Sequence, residues 1–159
     1  VFNKAIELSP QKQQIYFEVA DVYLQMSNYS KAAEVLEKAF NLDTSFNSAA
    51  INLAAAYILN NQQAKADQAL VESFGTAEVS DPILASVYSR IKDYSRLAGV
   101  WRVFVKKSPD NLEYRKNLSG AYLLAGQKKS AIAVLEQAMK DFPEFKADGE
   151  NLIKQIKNQ

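Results

Sequence analysis

Tyrosine and leucine recur in step along this chain. Tyr23 is followed by Tyr57, Tyr88 and Tyr122, at intervals of 34, 31 and 34 residues by subtraction. Leu36 is followed by Leu70, Trp101 and Leu135 at the same three intervals. Two series that share one irregularity point to a repeated supersecondary unit, and a period of this length is the mark of a helical solenoid. The unit is legible in residues 16–39, YFEVADVYLQMSNYSKAAEVLEKA. Val19, Ala20 and Tyr23 fall on one amphipathic helix, and Ala32, Leu36 and Ala39 on a second, with a tight turn between them. With 4 prolines and 5 glycines in 159 residues, little interrupts the helices.

Composition removes several kinds of chemistry. Cysteine and histidine are both absent. That excludes disulfides, thiolate nucleophiles, zinc sites with the usual ligands and imidazole acid–base catalysis. The lack of cysteine suits a reducing or an oxidising compartment. A net charge of +1 argues against electrostatic binding of nucleic acid, which needs a clustered positive surface. No run of about 18 apolar residues is present to cross a bilayer. Neither a glycine-rich phosphate loop nor a nucleophile elbow is found, and pairs such as Glu34 and Lys38 are ordinary neighbours on a helix face. No catalytic, metal or cofactor residues are assigned, and the segment is read as non-enzymatic.

The predicted organisation is all-α throughout. Residues 1–10 form the second helix of a truncated repeat, and Ser9-Pro10 ends it. Repeats then occupy 11–44, 45–75, 76–109 and 110–143, and residues 144–159 form a capping helix. Within them helices are expected over 11–26, 30–42, 47–59, 63–74, 82–91, 94–107, 111–125, 128–141 and 147–157. Ser30 is the expected N-cap of the second of these. The missing three residues must lie between Leu70 and Leu84. Gly75 there suits a helix C-terminus, and Asp81-Pro82 suits an N-cap followed by proline at the first helical position. The third repeat therefore has a shortened first helix, and Trp101 is read as filling the space that this leaves. Leu152, Ile153 and Ile156 share one face of the last helix, as a polar-backed solenoid cap requires. Because Val1 is not an initiator and the chain opens inside a unit, it is expected to be part of a longer protein.

These residues resemble the tetratricopeptide repeat family. The pattern is a small residue and a tyrosine in the first helix, small residues in the second, and proline near the repeat end. Here the first small position is held by Ala20, Ala54, Ala85 and Ser119. The second-helix small positions are Ala32, Ala66, Ala131, Ala39 and Ala138, and prolines stand at Pro10, Pro109 and Pro143. The third repeat departs, with Leu97 and Phe104 in place of alanines. The resemblance covers nearly the whole chain and implies a right-handed solenoid of antiparallel helix pairs. Residues 5–20, AIELSPQKQQIYFEVA, also resemble segments in the tetratricopeptide tails of bacterial O-antigen ligase and polymerase membrane proteins.

In the family, first helices line a concave groove that holds an extended or helical peptide. The resemblance places Phe17, Glu18, Asp21, Ile51, Asn52, Ala55, Leu59, Arg90, Lys116 and Asn117 there, with Gln14, Ser48, Ile83, Ser86, Gly120 and Leu124 beside them. The apolar stretch around Ile51 and Ala55 is the expected seat of a partner's apolar anchor. Glu18 and Asp21 stand where the subclass that grips a terminal carboxylate needs basic or amide groups, which argues against an acidic C-terminal tail as ligand. Asn52 and Asn117 could hold a peptide backbone, since an amide both donates and accepts. Pentatricopeptide repeats, which read RNA, are disfavoured by the neutral charge and the alanine–tyrosine signature.

The expected role is a protein–protein interaction scaffold with a protein or peptide partner, no nucleic acid, no cofactor and no insertion into a membrane. Two alternatives remain open. One is the soluble tail of a bacterial membrane enzyme of polysaccharide ligation or polymerisation, at the cytoplasmic face. The other is self-assembly through the truncated N-terminal face around Phe2 and Ala5. Small residues at the helix crossing are the basis of every one of these readings. Ala20→Arg should therefore destabilise the chain by more than about 3 kcal/mol, through overpacking and a buried charge. Urea unfolding checks this, and a parent-like midpoint would remove the assigned crossing.

Overall fold

The structure is a computed structural model that describes residues 12–158. The N-terminal half repeat, with Phe2, Ala5 and Pro10, lies outside the described residues. All regular structure in those described is helical: α1 (Gln13–Gln25), α2 (Tyr29–Leu42), α3 (Asn47–Leu59), α4 (Gln63–Phe74), α5 (Pro82–Arg90), α6 (Tyr94–Lys107), α7 (Leu112–Leu124), α8 (Lys128–Asp141), a 3-10 turn (Pro143–Phe145) and α9 (Lys146–Lys157). No helix among the described residues is long and apolar enough to cross a membrane. The chain divides into two compact units, Val1–Val79 and Ser80–Gln159. The division falls in the loop where the repeat period slips.

In the first unit each of α1 to α4 packs on its neighbour in sequence. The crossings sit on alanine. Ala20, Ala32, Ala39, Ala54 and Ala66 are all 1% exposed or less, and Leu36 and Leu70 fill the adjoining space to the same degree. Small side chains let two helix backbones approach, and the leucines remove most of the apolar area from water. Helix α3 is buried on almost every face, from Ala49 through Ile58 with the exception of Asn52.

The second unit repeats this arrangement in α7 and α8, with Ser119 at the alanine position. Its hydroxyl is buried and donates to the Ala131 carbonyl at 3.0 Å, so the polar atom carries no desolvation penalty. In α6, Trp101, Phe104 and the facing Tyr114 of α7 form a cluster with ring centroids 5.0–5.9 Å apart. Tilted rings at this spacing pack favourably and occupy the room that alanines leave elsewhere. Helix α9 closes the unit by laying Ile153 and Ile156 over the Ala131, Leu135 and Ala138 stripe of α8. Gly149 lets α9 come close, because a Cβ there would sit 2.5 Å from Met139 Cγ.

Three polar ties join the start of a first helix to the end of its partner. Gln13 donates to the Ala39 carbonyl at 2.7 Å and Ser73 donates to Asn47 at 3.1 Å. Arg115, only 8% exposed, donates to the Pro109 carbonyl and to Asp141, and its guanidinium stacks 5.2 Å from the Phe142 ring. The hydrogen bond from Arg115 holds the Asp141 carboxyl below the usual carboxylate range.

Helix ends follow local chemistry. Asp81 caps α5 by accepting from the Ile83 amide at 2.7 Å, with Pro82 in the first turn, and Gly75 ends α4 at a φ of +73°. The N-cap of α2 is Asn28 rather than Ser30. Its side-chain oxygen accepts from the Lys31 amide at 3.2 Å, and the helix begins one residue before Ser30.

Every turn within a helix pair has the same form. Ser27, Asn61, Lys92 and Gly126 occupy the left-handed region, with φ of 55°, 56°, 61° and 76°. The next amide in each case bonds back to the carbonyl of the ladder tyrosine, at 2.8 Å in three turns and 3.0 Å at Tyr88. Glycine suits that conformation, asparagine tolerates it, and other side chains strain it. Lys92→Gly and Ser27→Gly should each add about 0.5–1 kcal/mol of stability, Asn61→Gly less, and Gly126→Ala should lose a similar amount. Urea midpoints for the four variants should fall in that order.

Candidate functional site

Two clefts carry most of the groove positions read from the sequence, one in each unit. The first, of about 300 Å³, runs between α1 and α3. Gln14, Phe17, Asp21 and Leu24 of α1 form one wall, Ser48 and Asn52 of α3 the other, with Leu36 and Phe46 completing it. The spacing of three and four residues along α1 puts Gln14, Phe17 and Asp21 on one face. The Phe17 and Phe46 rings meet at 6.0 Å between centroids, and Phe46 is 41% exposed. The Asn52 amide donates to the Ser48 carbonyl at 2.9 Å. The Gln14 amide reaches Glu18 at 3.5 Å, which turns Glu18 along the exposed side of α1 and away from the lining set.

The second cleft, of about 460 Å³, lies among α5, α6 and α7. Its apolar walls are Pro82, Ala85, Leu97, Trp101, Ala121 and Leu124, and Ser86, Ser89, Lys116, Asn117 and Gly120 complete it. Lys116 forms an ion pair at 2.6 Å with Glu113 one turn away. Trp101 is half-buried and stands on the wall, so it shapes a cleft as well as filling space. One wall of this cleft is the nine-residue helix α5, through Pro82, Ala85, Ser86 and Ser89.

The remaining assignments fall elsewhere. Ile51 and Ala55 were expected on an open apolar groove, yet they are 8% and 5% exposed and belong to the core. Helix α3 is apolar all round, so its periodicity does not say which face is open. Leu59 is half-buried and Arg90 is exposed at the last turn of α5, and neither lines a cleft.

A third depression, about 240 Å³, has Tyr57, Glu37 and Lys65 on its walls and was not anticipated. The Tyr57 hydroxyl donates to Glu37, whose carboxylate lies 3.8 Å from the Lys65 ammonium. Lys65 also stands 5.2 Å over the Tyr57 ring, as Lys31 stands 5.7 Å over Tyr23 one repeat earlier. Burial of Tyr57, then its bond to Glu37 and the nearby negative charge, raise the phenol well above its ordinary value. A phenol held protonated in this way is a fixed donor and a poor base.

Comparison with known proteins settles the fold. The family model "Tetratricopeptide repeat" matches residues 13–46, which are α1, α2 and the link to α3. The fold is a tetratricopeptide-repeat solenoid. The solved structure of MamA protein is 19% identical, with a TM-score of 0.61, over 92% of this chain and 81% of that one. A tetratricopeptide repeat protein from Parabacteroides merdae is 14% identical, TM-score 0.59, over 88% of this chain and 56% of that one. YrrB, described as a tetratricopeptide protein with an unusual peptide-binding site, is 18% identical, TM-score 0.54, over 94% of this chain and 78% of that one. Among curated proteins none matches the chain. In the tetratricopeptide frame, Tyr57 is a ladder tyrosine and its raised phenol is a packing feature.

That feature has a pH signature. The folded phenol stays protonated where the unfolded one ionises, so its contribution is complete below about pH 10 and is lost as pH rises through the raised folded value. Tyr57→Phe should flatten the alkaline loss of stability. In a spectrophotometric titration of the folded chain it should remove a phenol that ionises well above the ordinary value.

Proposed function

We propose that this chain is a non-catalytic protein-interaction module that grips a peptide or helix of its partner through an apolar anchor in the cleft of α5, α6 and α7. The observation that carries this reading is the cleft itself. It offers Trp101 and Leu97 at its wall, an exposed Leu124 at 59%, and amide and hydroxyl groups at its edge. Binding energy in protein interfaces concentrates where an aromatic or aliphatic anchor enters such a pocket, with polar groups around it to orient the chain. Asn117 can satisfy a peptide group whichever side chains flank it. An amphipathic helix or an extended segment meets these requirements equally. The peptide-binding site of YrrB, a protein of the same fold, supports a peptide ligand by analogy. The anchor position assigned from sequence to Ile51 and Ala55 thus moves to the neighbourhood of Trp101.

Gly120 provides a clean test. A Cβ placed there meets nothing within 4 Å, so Gly120→Leu should enter the cleft and leave the fold intact, with a helix-propensity gain of up to about 1 kcal/mol. Peptides selected from a displayed library on the parent chain should carry a large apolar residue and shift Trp101 fluorescence. They should bind Gly120→Leu at least about tenfold more weakly, a loss of about 1.4 kcal/mol. Selection of nothing, or of peptides that bind the variant equally well, would reject the reading.

A further inference from the structure

The cleft between α1 and α3 differs from the second in its chemistry. Asp21 is the one charged residue on its lining, whereas Lys116 holds that place in the other. Among the described residues no ion-pair partner faces Asp21. Asn52 gives one of its amide N–H groups to the Ser48 carbonyl, and Gln14 gives one to Glu18. The charge that the cleft presents is the Asp21 carboxylate, with the carbonyl oxygens of the Asn52 and Gln14 side chains on the same lining. Beside them stand Phe17 and the 41%-exposed Phe46.

An arginine side chain meets each of these demands. Its guanidinium has five donors and no acceptor, is planar, stacks on aromatic faces and pairs with carboxylate. Its methylene stem suits an apolar wall. Lysine shares the charge but lacks the plane and the fork. A volume of about 300 Å³ has room for one long side chain. We propose that this cleft is a subsite for an arginine carried by a partner protein segment, with the guanidinium against Phe46 and Phe17 and its donors on Asp21. This inference is independent of the apolar anchor assigned to the α5, α6 and α7 cleft.

The test uses the whole chain labelled with nitrogen-15 and the capped peptide Ac-Ala-Leu-Arg-Ala-NH2. Two controls carry citrulline or lysine in place of arginine; citrulline keeps the shape and loses the charge. Amide shifts should move for Phe17, Asp21, Phe46 and Asn52. The citrulline peptide should bind about tenfold more weakly, as removal of a charge-assisted, aromatic-stacked contact implies, and the lysine peptide should fall between. Asp21→Asn should equalise the arginine and citrulline peptides, and Phe46→Ala should weaken both. Asp21 is exposed, so Asp21→Asn should keep the parent melting temperature; Phe46→Ala loses its contact with Phe17 and should melt a little lower with unchanged helical content, and circular dichroism checks both before titration. Three results would overturn the proposal: equal affinity for arginine and citrulline, shifts confined to residues 80–158, or no shifts up to about 10 mM peptide, beyond the millimolar range of single-anchor binding.

Discussion

Close approach of helix backbones at alanine is the constraint on which the rest of this structure depends. Ala32, Ala39, Ala54, Ala66, Ala131 and Ala138 have no exposed surface at all. Each leaves room for only a methyl group, and the leucines and tyrosines around it are placed by that contact. Where the constraint is relaxed, the structure changes character. Helix α6 carries Leu97 and Phe104 in place of alanine, and there the packing is aromatic, α5 is short and a cleft opens. The individual part of the molecule is the part that gives up the small residue.

This explains what could be read from the residues alone. Burial selects side chains by size, and size repeats with the unit, so the ladders at Tyr23 and Leu36 identify the helix pairs and even the missing three residues. Helix ends were legible where one side chain settles them, as at Gly75 and Asp81. At Asn28 and Ser30 two good capping residues lie close together, and only the backbone decides between them. Surface assignments were harder. An amphipathic helix such as α1 declares its open face, and Gln14, Phe17 and Asp21 share one wall. Helix α3 has five alanines and apolar residues on every side, so Ile51 and Ala55 give no hint that they are covered. The Tyr57, Glu37 and Lys65 group joins three helices and has no sequence signature.

The two clefts show how one fold acquires different chemistry without new architecture. Both arise between successive first helices, yet one lines its walls with a carboxylate, amides and phenylalanine and the other with apolar side chains and a lysine. Substitution at exposed groove positions such as Asp21 and Asn117 leaves the buried alanines untouched, because exposed and buried side chains lie on different faces of the same helix. Recognition can therefore change while the solenoid stays constant.

Trp101 has a further consequence. As the only tryptophan, it confines the tryptophan fluorescence, excited selectively beyond the tyrosine band, to Ser80–Gln159, while far-ultraviolet dichroism reports the helices of both units. In repeat proteins, stability is a sum of unit terms and nearest-neighbour coupling. The separation between the fluorescence and dichroism midpoints thus measures how strongly the loop at Val79 and Ser80 joins two folding units into one cooperative transition.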